Sequence, residues 1–189
     1  MKNEETNARY VVARPAYELV PAFPVEGRIP AMTLLSNSLV PGAGAYVEAG
    51  WIVAMPDPNP HIGEHVHDYD EIVLHLGTDP DDQEDLGAEI EFVVDGRPYT
   101  ITKTSCVFVP KGVKHGPLTW KSFTRPHLEL TVMLGAGSLQ EADPGGHLKM
   151  LGQRTLGQGS LGQAELGRQS AGDHATPGER DEPKEGEKP

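Results

Sequence analysis

The residues able to do chemistry are concentrated in one stretch, His61-Ile-Gly-Glu-His65-Val-His67-Asp-Tyr-Asp-Glu71-Ile-Val-Leu-His75-Leu-Gly77. Alternate residues of a strand share a face, so His65 and His67 point to one side and Glu71, four further on, returns to it. A fourth donor follows in Pro110-Lys-Gly112-Val-Lys-His115, where Pro and Gly make a turn that reverses the chain before it presents an imidazole. Two or three imidazoles with a carboxylate suit one divalent first-row transition metal, with Fe, Mn, Ni, Cu or Zn favoured over Ca or Mg. Each histidine alone reads as structural or solvent-facing, since intermediate burial is normal for this residue. The joint pattern reads as a metal site.

The elements that must position these donors are short. Tyr10–Arg14, Met32–Val40, Ala45–Met55, Glu71–Leu76, Ala88–Val94, Pro98–Thr102, Cys106–Val109 and Pro126–Leu134 are rich in β-branched and aromatic residues and separated by Pro, Gly and Asp clusters. Strands of this length and spacing predict an all-β sandwich or barrel over 10–136. Asp95-Gly96 joins two of them as a two-residue hairpin, because a type I′ turn needs positive φ at both positions. From Gly137 onward the chain has no Phe, Tyr or Trp, and Leu-Gly-Gln or Leu-Gly-Arg recurs at Leu151, Leu156, Leu161 and Leu166. A five-residue period suits neither helix nor strand, so 137–189 reads as a low-complexity, disordered tail, either a solubilising appendage or a partner-docking repeat.

In its two motifs the sequence resembles the cupin family. His65-x-His67 followed by Glu71 matches the core of that family's first motif, and Pro110-x-Gly112-x-x-His115 that of its second. The resemblance implies a jelly-roll β-barrel in which His65, His67, Glu71 and His115 hold one metal ion. Asn59, Thr78, Thr104 and Thr119 stand where the family pattern has glycines or asparagine. Those positions set turns and outer contacts rather than ligation.

Alternation from Glu71 places Val73 and His75 on the metal side and Ile72, Leu74 and Leu76 on the other. The outer aliphatics then need cover from the N-terminal segment or a second subunit, and a homodimer is expected. His75 is the candidate acid/base or supporting residue, with a packed core histidine as the alternative. In Ala45–Met55 the odd positions Val47, Ala49, Trp51, Val53 and Met55 form the apolar face, so Trp51 is expected to pack in the barrel or line its mouth. In Arg125–Leu134 the even positions are apolar. Arg125, His127, Glu129 and Thr131 either line the pocket, with Arg125 clamping a substrate carboxylate, or face water, which the alternation favours. The run from Thr78 to Gly87 reads as a solvated acidic loop, and Cys106 as packing.

The 189 residues carry 16 Lys and Arg against 28 Asp and Glu, a net −12, which repels phosphate backbones and argues against nucleic-acid binding. Neither a signal peptide nor a run of about 18 apolar residues is seen, so no membrane partner is expected. With one cysteine, a reducing cytoplasmic location follows. The function expected is a metal-dependent enzyme acting on a small molecule. An O2-using dioxygenase leads, with Fe favoured, because three imidazoles and a carboxylate leave coordination positions open. A redox-neutral isomerase, lyase or decarboxylase and a non-catalytic, metal-stabilised ligand-binding barrel are the alternatives.

Overall fold

A computed structural model describes residues 10–18 and 24–148. Nine strands follow one another as β1 (Glu26–Arg28), β2 (Met32–Leu35), β3 (Ala45–Asp57), β4 (Asp70–Leu76), β5 (Asp85–Val94), β6 (Arg97–Lys103), β7 (Ser105–Val109), β8 (His115–Phe123) and β9 (His127–Leu134). They form two antiparallel sheets. One has the order β1-β3-β9-β4-β7 with β2 also on β3, and the other the order β6-β5-β8. The hairpin between β5 and β6 turns at Asp95 and Gly96, whose φ angles of 50° and 71° are both positive as a type I′ turn demands.

Between the sheets sits a core of Ile52, Val73, Leu86, Ile90, Phe92, Ile101, Val109, Leu118 and Trp120. Its burial supplies the main drive for closing one sheet on the other. The inner face of the larger sheet is organised in rows set by register. Glu71, Met133 and Tyr46 lie side by side, then Val73, Thr131 and Glu48, then His75, Glu129 and Gly50.

Several expectations change here. No strand covers 10–14; instead Ala16 bridges to Thr33. Strand β8 went unread because Gly116-Pro117 opens it, and β1 because it has only three residues. The face of β3 is inverted: Tyr46, Glu48, Gly50 and Ile52 are buried, whereas Trp51 is 37% exposed on the outside with Val53 and Met55. On β9, His127 and Glu129 are buried and the even-numbered aliphatics lie outside. In both strands the interior holds a functional cavity, so polar residues point inward and the apolar rows point out. Arg125 stays outside the cavity, paired with Asp79 at 3.0 Å and with Asp85. Those pairs pin the acidic loop to the end of the barrel. Cys106 is exposed on β7 rather than packed.

The ordered chain runs past 136. Ser138 caps a one-turn helix, Leu139–Ala142, through a reciprocal capping box with Glu141, and a 3-10 turn, Pro144–Gly146, follows. Ala142 is fully buried and accepts a hydrogen bond from the Tyr69 hydroxyl. The repeats at 151–166 lie outside the described residues. No helix among the described residues is long and apolar enough to cross a membrane.

Candidate metal centre and cavity

His65 and His115 are joined backbone to backbone, His65 N–H to His115 C=O at 2.8 Å and His115 N–H to His65 C=O at 3.0 Å. This pairing extends the smaller sheet beyond β8 and sets the two rings on one face, with centroids 4.1 Å apart. Gly116 makes the approach feasible. Its φ is 85°, and a Cβ there would lie 2.2 Å from the Gly63 carbonyl oxygen. The turn of the second motif is tied to the first, since Gly112 N–H donates to His67 C=O at 3.0 Å and Lys111 N–H to Asp70 Oδ1 at 2.8 Å.

The side chains converge, although His65 and His67 lie ahead of β4, at an isolated bridge and before a bend, rather than alternating along one strand with Glu71. Donor atoms of His65, His67 and His115 lie within 4.8 Å of one another. Glu71 Oε2 is 3.2 Å from Nε2 of both His67 and His115. Each imidazole donates from Nδ1 to a backbone carbonyl: His65 to Gly63 at 3.0 Å, His67 to Tyr69 at 2.8 Å, His115 to Val113 at 3.0 Å. A carbonyl only accepts, so Nδ1 carries the proton in all three rings and the Nε2 lone pairs are turned toward the shared space. Two lone pairs facing a carboxylate repel unless a cation lies among them. His115 Nε2 is buried and has no hydrogen-bond partner among the described residues. The set therefore fits one divalent ion on chemical grounds.

Desolvation, reinforced by His115, holds His65 down at about 4, so its imidazole stays neutral and able to ligate.

Against this cluster opens a cavity of about 410 Å³ whose walls include Val25, Ile29, Val73, Phe92, Leu118 and Met133. Its polar lining is Glu18, Arg28, Glu48, His61 and Glu129 together with His65, Glu71, Thr131 and His115, and from the C-terminal strap His147. Arg28 Nη2 lies 3.0 Å from Glu129 Oε1 and 3.8 Å from Glu48 Oε1. Burial pushes Glu48 up to about 7, with the Arg28 charge only partly offsetting it. Burial would likewise raise Glu129, but Arg28 foremost and then His75 and His61 bring it below its ordinary value. None of Arg28, Glu48, His61 and Glu129 stood among the sequence candidates as a site residue except Glu129, in the pocket-lining register of β9. The other sequence signals were His61, which opens the histidine-rich stretch without a role of its own, and Glu48, an acid between apolar neighbours on β3.

His75 points inward as alternation predicts but is absent from the lining. It is fully buried, edge-on to Trp120 with ring centroids 6.2 Å apart, and burial lowers it to about 4. That environment corresponds to the core alternative. Three of the four positions that depart from the family pattern make contacts between distant segments: Asn59 bonds the Trp120 backbone at 2.7 and 3.0 Å, Thr104 Oγ1 accepts from Gly77 N–H, and Thr78 donates to Pro126 C=O.

The fold and site together are two antiparallel β-sheets closed on one another around a cavity, with a histidine cluster at one end. No family model and no curated protein matches the sequence. Among solved structures the chain is similar to a predicted oxalate decarboxylase from Thermotoga maritima, at 15% identity and TM-score 0.41 over 58% of this chain and 83% of that one. It is also similar to an RmlC-like cupin from Shewanella frigidimarina, at 15% identity and TM-score 0.38 over 64% and 90%. The polyketide cyclase RemF from Streptomyces resistomycificus gives 14% identity and TM-score 0.41 over 63% and 72%.

Proposed function

We propose that this chain is a metal-dependent enzyme acting on a small molecule, in which His65, His67, Glu71 and His115 hold one divalent transition metal and Glu48 moves a proton on the bound substrate. The observation that carries the reading is a single cavity onto which both the imidazole cluster and Glu48 open. When bound, the ion supplies Lewis-acid polarisation of a substrate oxygen, or O2 activation where it is redox-active. The chain does the rest. Apolar walls exclude water, Arg28 fixes the Glu48 carboxyl from 3.8 Å, and an acid poised at about 7 both takes and returns a proton near neutrality.

This supports a redox-neutral isomerase, lyase or decarboxylase ahead of the O2-using dioxygenase, which rests on the donor set alone. Elemental analysis and oxygen uptake decide between them. Turnover with Mn or Zn and no oxygen consumption carries the first; stoichiometric iron with substrate-dependent uptake carries the second. Tighter thermal stability with metal and no chemistry on any metabolite pool would instead leave a ligand-binding barrel. Glu48→Gln is the direct test. Its kcat should fall by roughly 100-fold or more with KM little changed if Glu48 transfers the proton, and an unchanged kcat rejects that role.

A further inference from the structure

The end of the cavity away from the metal ligands carries buried polar atoms that no described residue satisfies. Glu129 Oε1 takes Arg28 Nη2, yet Glu129 Oε2 and Arg28 Nε are both buried without a hydrogen-bond partner among the described residues. His61, 8% exposed and stacked on Trp120, has neither ring nitrogen paired among them. All three residues line the cavity. Buried donors and acceptors are seldom left unmade, and where they line a cavity they are met by water or by a ligand that replaces it. Register separates this cluster from the metal end: Glu129 lies across from His75, four residues along β4 from Glu71, or roughly 13 Å of strand.

We propose that Arg28, Glu129 and His61 form a subsite for a neutral hydroxyl, so that the substrate is a small hydroxylated carboxylic acid spanning the cavity with its carboxylate toward the metal end. This deepens, and rests on, the metal-dependent reading above. The choice of group follows by elimination. An ammonium would satisfy Glu129 Oε2 but stand beside the Arg28 guanidinium; a carboxylate would satisfy Arg28 Nε but stand beside Glu129 and Glu48. A methyl group leaves every atom unpaired. A hydroxyl donates to Glu129 Oε2 and accepts from Arg28 Nε or His61. The neutral state of His61, lowered to about 4 chiefly by burial, agrees, since a neutral imidazole offers one donor and one acceptor. At the other end a divalent ion against the single carboxylate of Glu71 leaves net positive charge, which draws the substrate carboxylate there.

The test is calorimetry on the full chain loaded with Mn2+, using linear acids of about four to ten carbons, a range chosen to reach across roughly 13 Å of strand, that end in hydroxyl, ammonium, carboxylate or methyl. At the best chain length the hydroxyl-ended acid should bind about tenfold tighter than its three counterparts, a difference one hydrogen-bonded pair accounts for. That preference should vanish in Glu129→Met. It should shrink in His61→Phe, which keeps the stack on Trp120 and guards against misfolding of the first variant. Metal-dependent binding with no preference for hydroxyl, tightest binding of the ammonium or carboxylate series, or no binding of any acid up to about 10 mM overturns the subsite. Equal binding with the metal stripped instead overturns the metal-dependent reading beneath it.

Discussion

His65 and His115 face each other across two reciprocal backbone hydrogen bonds, so one candidate ligand from each motif is fixed by main-chain pairing rather than by side-chain packing. Ligands held in this way are preorganised before any ion arrives, because their spacing is set by a strand ladder and their ring orientation by carbonyl acceptors on Nδ1.

Removing a ligand should remove the metal. His67→Ala or His115→Ala should lose most bound ion by elemental analysis, since each deletes one of four donors. Full metal content in both variants would sink the ligand assignment. Truncation after Leu148 should retain the ion, whereas truncation after Ala136 also removes the strap residues Leu139, Pro144 and His147 from the cavity wall and should weaken ligand binding.

Gly116→Ala should damage the site without touching a ligand. An alanine at φ 85° meets the Gly63 carbonyl at 2.2 Å, so the His65–His115 pairing must open, at a cost of about 2 kcal/mol or more. Chemical denaturation would show the loss, and metal titration a weaker site. An unchanged midpoint would mean that the pairing tolerates displacement.

Stability should fall as pH drops from about 6.5 toward 4. His61 and His75 are both held down at about 4 by burial, so in that window the unfolded chain binds protons that the native chain refuses. Glu48 acts in the opposite sense: raised to about 7, it contributes stability at low pH that is lost as pH rises through 7. His75→Leu should flatten the acid limb and hold or raise Tm near neutrality, since neither ring nitrogen of His75 has a partner among the described residues. A large drop in Tm, or an unaltered acid limb, would contradict this.

We propose a homodimer through the outer face of the larger sheet. Register there aligns Phe108, Ile72, Val132 and Val47 in one row, and Leu74 and Leu130 in the next. Phe108 is 55% exposed, and an apolar sheet face of this extent needs cover. Light scattering should report twice the chain mass, and Leu74→Asp with Val132→Lys should return the monomer. A monomeric parent chain would dismiss the proposal.

The sequence by itself determined the strand layout of the middle of the chain, the Asp95-Gly96 turn and the convergence of His65, His67, Glu71 and His115. Those signals are local: a type I′ turn needs only two residues with positive φ, and the His-x-His, Glu and Pro-x-Gly-x-x-His motifs lie within two short windows. The tertiary structure decided the rest. Alternation cannot say which face of β3 or β9 turns inward when the interior is a polar-lined cavity, so Glu48 and Glu129 went to the inside and Trp51 to the outside against the apolar pattern. Nor could spacing bring Arg28 from an edge strand onto Glu129, 101 residues away, or seat 137–148 over the barrel. Those placements come from strand register and sheet closure, which are long-range relations that no short window of sequence contains.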